Sequence, residues 1–516
     1  MSKPKAFLKQ SKSKKKAEQA LDTADDFQAA GVDFEEAAGK WRAGDGAKSM
    51  RFFCRAIEVY DQGLQKFPAS LDLAYNKARI LLEIATHPLL VPHLPRPLLE
   101  VLQQALDAHR YALHLDQDNP DTLFNAAQVL TATAEAYAKD DGHADQDALQ
   151  PLEEALELQD RCLSIQELKF EEYIQQQNEA ARIAPGTSAE PGPALDNGQN
   201  DDDNDDGDQA ANNSEDRWFS VIEPVTKDTL VDTVLAQLGT LTTLCSVLSS
   251  SEHSGPSSSL AWIEEYSSKL VKTKLPILLQ DADSERLQEV ALARANFVSE
   301  LLKAGYTQDS IDPETYRRER DEAFRAPELG LERDFAALMA NANSLVSFNA
   351  ALAEGSPSNA ISHAGSRWSA LSAAIANMAI AAKLSDPLPD DIADTHFIRG
   401  NCSLLQHRLG QPPVSYSSAV VNSNQLLKNA ETFYRNASKL YQDGDQKAIA
   451  QFRGAVAQAL QNSTDAIANT AHNSKGQGEE WIRGQLEDMV DDGLIATLPS
   501  IAQMGSGVMR KAGDQS

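Results

Sequence analysis

Side chains that could bind a metal or catalyse a reaction lie far apart along this chain. The chain has four cysteines, Cys54, Cys162, Cys245 and Cys402. No two of them form a CxxC pair, the spacing that is typical of zinc ligands. His109 and His114 are five residues apart, so they do not share one face of a helix. With no HExxH or Gly-x-Ser-x-Gly motif either, the residues predict no metal, no cofactor and no catalytic centre.

Glycine-rich stretches that could bind a phosphate also have the wrong pattern. Residues 44–49 read Gly-Asp-Gly-Ala-Lys-Ser, whereas a phosphate loop has four residues between its two glycines. Residues 505–507 read Gly-Ser-Gly without the third glycine or the preceding strand of a dinucleotide site. We therefore interpret residues 44–49 as a loop between two helices and expect no enzyme activity.

The charge balance restricts the classes of partner. The 516 residues include 47 Lys and Arg and 76 Asp and Glu, which gives a formal net charge of −29. Nucleic acids and anionic membranes attract basic surfaces, so we expect direct contact with neither. No 18-residue run is free of polar residues, which predicts no membrane-spanning helix. An acidic protein is suited instead to a protein partner, and in particular to a basic one.

Two segments are predicted to be disordered. Residues 1–17 carry seven lysines and are typical of either a solvated tail or a nuclear-import signal around Lys12–Lys16. Residues 183–216 contain ten acidic residues and no Lys or Arg, so charge repulsion and a shortage of apolar surface predict an exposed linker. No apolar leader follows the lysines. We therefore expect a cytoplasmic protein that can also reach the nucleus.

Outside these segments, apolar residues recur with the period of a helix. Phe52, Ala56, Tyr60 and Leu64 follow one another at intervals of four residues and so fall on one helical face. Alternating runs of β-branched residues, which would indicate strands, are nearly absent. The sequence therefore predicts an all-α fold.

A second pattern recurs inside the predicted helices: a small residue, a bulky residue four positions later, and a small residue three positions after that. These positions share one stripe of a helix, where small residues let a partner helix approach and the bulky one fills the groove. The four matches are Ser49, Phe53 and Ala56; Ala105, His109 and Ala112; Ala155, Gln159 and Cys162; and Ala448, Phe452 and Ala455. This pattern assigns His109 and Cys162 to the packed interior.

Helices with an aromatic residue followed by a small one accompany these stripes, as in Tyr75 with Ala78 and Phe397 with Gly400. Together the two patterns resemble the tetratricopeptide repeat family over residues 30–175 and, less closely, 390–465. The chain looks like fungal and other eukaryotic members that act as adaptors. The resemblance implies a solenoid of helical hairpins with a concave groove. The uneven repeat spacing leaves an irregular helical domain as the alternative.

The expected organisation is a basic tail at 1–17, a helical domain at 18–182, the acidic linker at 183–216, a second helical domain at 217–475, and a capping helix with a flexible tail at 476–516. Trp481, Leu486 and Met489 fall on one helical stripe. This stripe predicts that the terminal helix docks near Phe452, where it would cover the last apolar face of the solenoid. A free helix that recruits a partner is the alternative.

The resemblance implies a groove lined by the first helix of each hairpin. The candidate groove residues are Asn76, Arg79, Asn125 and Gln128. Some members of the family clamp the terminal carboxylate of the major heat-shock chaperones with Lys, Arg and Asn from these helices. The matching positions here are Phe34, Ala38, Asn76, Asp121 and Asn125. Only Asn76 fits, and an acidic residue would repel a carboxylate, so we expect no such clamp.

The leading hypothesis is a non-catalytic scaffold or adaptor that binds a peptide or helix of a partner protein in this groove. The alternative is an assembly chaperone that shields a basic client, such as a ribosomal protein or histone, with its acidic residues, including those at 201–208. A solvating role for that acidic run is the simpler interpretation of the same residues.

Overall fold

The computed structural model describes residues 21–139, 145–183, 224–250, 258–354, 357–462 and 478–496. The regular secondary structure of these ranges is helical, without a strand, which confirms the predicted all-α fold. The basic tail at 1–17, the acidic segment from residue 184 onwards and the last twenty residues of the chain lie outside them.

The chain divides into two compact units, Met1–Gln237 and Leu238–Ser516. The helices of the first unit are α1 (Ala24–Arg42), α2 (Gly46–Lys66), α3 (Leu71–Thr86), α4 (Leu98–Leu115), α5 (Pro120–Ala138), α6 (Asp145–Ile183) and the beginning of α7 (Lys227–Ser250). Each of α1 to α5 packs against the next helix in the chain, and α3 also contacts both α1 and α5. The first unit is therefore a row of helical hairpins whose first helices, α1, α3 and α5, form one layer.

Local sequence explains where these helices begin. The backbone N–H of Lys48 donates to Asp45 Oδ1 at 2.8 Å, and the N–H of Thr122 donates to Asn119 Oδ1 at 2.9 Å. Asp and Asn are preferred at such caps because their oxygens satisfy amides that lack a helical partner. Pro120 follows as the first residue of α5, a position that needs no donor. The glycine-rich stretch at 44–49 is thus the capped start of α2.

The second unit contains the rest of α7 and a longer set of helices. They are α8 (Ser258–Ser268), a π-helical segment (Lys269–Lys274), α9 (Leu275–Leu278), α10 (Ser284–Thr307), α11 (Pro313–Ala323), α12 (Phe335–Ala351), α13 (Pro357–Ser362), α14 (Ala364–Ala381), α15 (Pro389–Leu409), α16 (Ser417–Leu440), α17 (Gly444–Asn462) and α18 (Glu479–Asp491). From α14 to α17, each helix packs against its successor. Helix α18 places Trp481 edge-on against Phe452 of α17, with ring centroids 5.5 Å apart.

The small-bulky-small stripes form the contacts within the hairpins. The predicted set of Ser49, Phe53 and Ala56 is buried at every residue. Besides it, four sets have every residue buried: Ala56, Tyr60 and Gly63; Ala105, His109 and Ala112; Ala155, Gln159 and Cys162; and Ala430, Tyr434 and Ala437. The first three sets follow one another at intervals close to fifty residues, longer than the 34 of the tetratricopeptide template. The predicted set at Ser49 lies on the same stripe of α2, whereas Ala448 and Ala455 are only half-buried.

The same contact recurs in both units. A Cβ atom on Gly31 of α1 would lie 2.2 Å from the Tyr60 ring, and one on Gly400 of α15 would lie 2.6 Å from the Tyr434 ring. Each tyrosine also bonds to its first helix: Tyr60 donates to Glu35 at 2.5 Å, and Tyr434 donates to Asn401 at 2.7 Å. Glycine is needed at these two positions because the aromatic ring occupies the space of a side chain.

Helix α7 differs from the sequence predictions in two ways. The boundary between the units falls inside it and not at the acidic segment, because Thr233 donates to Gln166 of α6 at 2.7 Å and Val231 and Val234 are buried. Residues Lys227–Ser249 are also long and apolar enough to cross a membrane by length and composition, although no such helix was predicted. Since 61% of this apolar window is buried inside the protein, α7 has the character of a core helix.

Candidate partner-binding site

The four predicted groove residues lie on two neighbouring first helices. Asn76 and Arg79 belong to α3, and Asn125 and Gln128 belong to α5. These helices contact each other, and the Asn125 amide donates to the Tyr75 hydroxyl of α3 at 3.3 Å. Asn76 is half-buried and Gln128 is exposed. The structure therefore places the four residues on the layer formed by the first helices. We call the face of this layer that carries them the first-helix surface.

Arg79 is already engaged within the protein. Its guanidinium is paired with the Glu35 carboxylate of α1 and lies 3.8 Å from Glu83, one turn further along α3. Glu83 is also paired with Arg42. Burial lowers the pKa of Arg79, but the carboxylates of Glu35 and Glu83 raise it by more, so its net pKa is raised. This charge network links α1 to α3 and leaves Arg79 with little capacity for a partner.

Tyr60 extends the network into the hairpin interior. Its hydroxyl donates to the same Glu35 carboxylate that pairs with Arg79, and burial and this carboxylate raise the pKa of Tyr60. The neutral phenol therefore stays a donor across the physiological range. Because Glu35 joins the hairpin contact to the first-helix surface, the network fixes the geometry of that surface.

The positions that would form a carboxylate clamp are spread between core and surface. Ala38 is fully buried, and its carbonyl accepts a hydrogen bond from Ser49 of α2 at 2.8 Å. Phe34 packs partly into the core of the first unit. Asp121 is exposed and contributes to the raised pKa of Tyr75, which is caused mainly by burial. None of these three side chains carries a positive charge that could hold a carboxylate.

A second candidate surface was not predicted. Another face of α3 is the floor of an open groove of about 490 Å³ whose walls are α2 and α4. Ile57, Leu64 and Leu81 supply apolar surface, and Lys77 forms a 2.6 Å ion pair with Asp61 at the rim. We call it the second-helix groove. The apolar spacing in α2 and α3 is visible in the sequence, but the gap between α2 and α4 depends on helix separation.

The buried titratable residues have the properties of core residues. His109 is fully buried, its Nδ1 lies 2.8 Å from the Ala105 carbonyl, and burial lowers its pKa to about 4. Burial raises the pKa of the Cys162 thiol to about 12, and the thiol donates to the Pro120 carbonyl at 3.3 Å. Within the described ranges, no group of three or more His, Cys, Asp or Glu could hold a metal ion.

Comparison with known proteins gives two fungal relatives over parts of the chain. It is 34% identical over 173 residues to UPF0656 protein C926.02 of Schizosaccharomyces pombe, a match that covers 33% of this chain and 37% of that protein. It is 38% identical over 92 residues to Uncharacterized protein YNL193W of Saccharomyces cerevisiae, covering 17% and 16% respectively. The chain thus spans less than two fifths of the length of either relative, and no protein-family model matches it.

Among solved structures, a circular tandem repeat protein with novel repeat topology and enhanced subunit contact surfaces aligns with 95% of this chain and 99% of its own. The sequence identity is 12% and the TM-score is 0.29. A score this low carries no argument about the fold, which rests on the helices and their contacts described above.

Proposed function

We propose that this protein is a non-catalytic scaffold that binds a segment of another protein on the first-helix surface, with hairpins of the tetratricopeptide type. The observation that carries the proposal is the charge network of Arg42, Glu35, Arg79 and Glu83. Internal pairing neutralises these charges. On the same layer of helices, Asn76 is half-buried and Gln128 is exposed. Amide groups of this kind select a partner by hydrogen bonds rather than by net charge.

The layer of α1, α3 and α5 suits an extended or helical segment. Three first helices in contact offer a continuous face, and stacked hairpins commonly bind partners along such a face. The glycine–tyrosine contact and the Glu35 network hold the helices at fixed spacing, so the surface is preformed and loses little entropy on binding. This rigidity favours a scaffold over a surface that folds only with its partner.

Affinity capture with two double variants tests the proposal. Asn76→Ala with Gln128→Ala removes the amides of the first-helix surface, and Gln65→Ala with Gln104→Ala removes two amides from the walls of the second-helix groove. We expect the first pair to lose at least one partner by tenfold or more in quantitative mass spectrometry, and the second pair to retain it. If only the second pair loses the partner, the binding site is the second-helix groove and not the first-helix surface. If both pairs capture the partner as well as the wild type does, the proposal is overturned.

A second candidate function is an assembly chaperone for a basic client. It is favoured by the net charge of −29 and by the last part of α6, which exposes Glu171, Glu172 and Glu179. Electrostatic binding to a basic client weakens as salt screens the charges, whereas hydrogen-bonded and apolar contacts are less sensitive. Capture at low and high salt therefore separates the two functions. One salt-sensitive basic partner supports the chaperone, and salt-resistant partners support the scaffold.

We also propose that the protein resides in the cytoplasm and reaches the nucleus through the lysines at 12–16. Fluorescent fusions with and without residues 1–17 test this location. Identical distributions of the two fusions would remove the import signal from the proposal.

A further inference from the structure

A partly open cavity lies within the second unit, between α7, α10 and α12. Its volume is about 520 Å³, within the range of sites that bind small ligands or side chains. Thr242, Asn296 and Asn343 contribute polar groups from the three helices, and Leu292 and Met339 contribute apolar surface. The cavity therefore combines an apolar wall with a wall rich in hydrogen-bonding groups.

Glu300 of α10 places a carboxylate in this cavity. Its Oε2 atom is shielded from solvent and has no hydrogen-bond partner in the structure. No Lys, Arg or His nitrogen of the described residues lies within ion-pair distance of Glu300; the pairs that do form on α10 include Arg286 with Glu289 at 2.6 Å. Glu300 as a whole is half-buried, but a carboxylate oxygen that is shielded from water without a partner is unfavourable. The site thus lacks the positive charge that would complete it.

Few charged groups are close enough to influence Glu300. Burial raises the pKa of Glu300, and Lys303 on the same helix lowers it by less. The neighbouring groups on other helices are the Cys245 thiol of α7 and the Tyr316 hydroxyl of α11, whose pKa values are raised mainly by their own burial. Both groups stay neutral near pH 7. The side chains that α12 contributes to the cavity are also uncharged, so among the described residues Lys303 is the cation that influences Glu300, and it forms no ion pair with it.

We propose that this cavity binds a Lys or Arg side chain of a protein partner, with the cation against the Glu300 carboxylate. The aliphatic stem of such a side chain would lie along Leu292 and Met339, as long basic side chains cover apolar surface while their charge is paired. Asn296 and Asn343 would accept the remaining N–H groups. This proposal rests on the proposed function in one respect, namely that the ligand belongs to a protein partner. The residues that line the cavity are separate from the first-helix surface.

Binding of the cation requires the ionised carboxylate. The cavity therefore binds the basic side chain with its highest affinity when the pH is well above the raised pKa of Glu300. This affinity falls as the pH drops through that pKa. A neutral ligand of the same shape would show no such dependence. The sign of this pH effect separates a cation site from a general polar pocket.

Calorimetry on the full-length chain at 150 mM salt tests the proposal with two blocked tripeptides, acetyl-Gly-Arg-Gly-amide and its citrulline counterpart, which is neutral but similar in shape. We expect the arginine peptide to bind and the citrulline peptide to bind at least tenfold more weakly, since charge-assisted bonds are about twice as strong as neutral ones. Glu300→Gln should weaken the arginine peptide about tenfold. Glu285→Gln, which removes an exposed carboxylate from the same helix, should leave it unchanged.

Equal affinities for the two peptides, or equal effects of Glu300→Gln and Glu285→Gln, would overturn the proposal. Glu300→Asp keeps the charge and should retain more affinity than Glu300→Gln, which separates loss of the charge from damage to the fold. If the arginine peptide does not bind the cavity in this way, partner capture through Asn76 and Gln128 is unaffected. Failure of that capture would in turn leave arginine-peptide binding by the cavity unaffected.

Discussion

Replacement of Gly31 by alanine tests the hairpin contact most sharply. The new Cβ would lie 2.2 Å from Cε1 and 2.3 Å from Cζ of Tyr60, whereas carbon atoms in contact are normally about 3.5–4.0 Å apart. The Tyr60 ring is fully buried and is held by its 2.5 Å hydrogen bond to Glu35. The ring therefore cannot move aside without loss of this bond.

The expected magnitude follows from two opposing effects. Overpacking of a core typically costs about 1–3 kcal/mol, and the severity of this contact places Gly31→Ala towards the upper end. Alanine in place of glycine inside a helix stabilises that helix by about 1 kcal/mol, which opposes the overpacking. We therefore expect a net destabilisation of about 2 kcal/mol. At Gly39, eight residues further along α1, an added Cβ would have no atom within 4 Å, so Gly39→Ala should stabilise the helix by up to about 1 kcal/mol.

Hydrogen exchange of α1 and α2 amides under native conditions measures this local stability. Gly31→Ala should accelerate exchange in both helices, and Gly39→Ala should slow it in α1. The same comparison can be made in the second unit, where a Cβ on Gly400 would lie 2.6 Å from the Tyr434 ring. Stabilisation by Gly31→Ala, or effects of equal sign at Gly31 and Gly39, would refute the described packing of α1 on α2.

Three further predictions concern core positions of the two units. Ala105→Leu should lower stability by about 1–3 kcal/mol in thermal melts because Ala105 is fully buried between helices; an unchanged melting temperature would mean that the site tolerates a larger side chain. Wild-type protein should lose stability as the pH falls from about 6.5, the ordinary pKa of histidine, towards about 4, the pKa of His109 in the folded protein. In this pH range only the unfolded state takes up a proton at His109, so acid favours unfolding. His109→Gln should reduce this slope, as judged from melts at pH 7 and 4.5, and an unaltered slope would assign it to other groups. A chain that ends at Gly476 lacks the Trp481 contact with Phe452, so it should melt at a lower temperature and bind more apolar dye; equal stability would favour a free α18.

The sequence was most informative where structure depends on local patterns. The stripe of Ala105, His109 and Ala112 depends on spacings of a few residues, and such spacings predicted helices and their buried faces. The register in α2 was harder to assign, because Ser49 and Tyr60 lie on one continuous buried stripe. Both parts of the stripe contact α1, because Ser49 donates to the Ala38 carbonyl and the Tyr60 ring packs against Gly31, and sequence spacing alone identifies neither partner.

Contacts between distant residues were beyond sequence reasoning. Arg79 was predicted as a groove residue, but its partner Glu35 lies 44 positions away, and nothing in either local sequence indicates the pair. The Glu300 cavity depends on the separation of α7, α10 and α12, which no periodic pattern specifies. The composition of α7 suggests a core helix only after its packing is known.

Site-specific photocrosslinking tests the scaffold proposal most directly. A benzophenone amino acid placed at Gln128 reports contacts of the first-helix surface, and the same group at Gln104 reports the second-helix groove; both positions are exposed. With a partner recovered by affinity capture, the account predicts an efficient crosslink from Gln128 and little from Gln104. A crosslink from Gln104 alone, or from neither position while the partner stays bound, would contradict it.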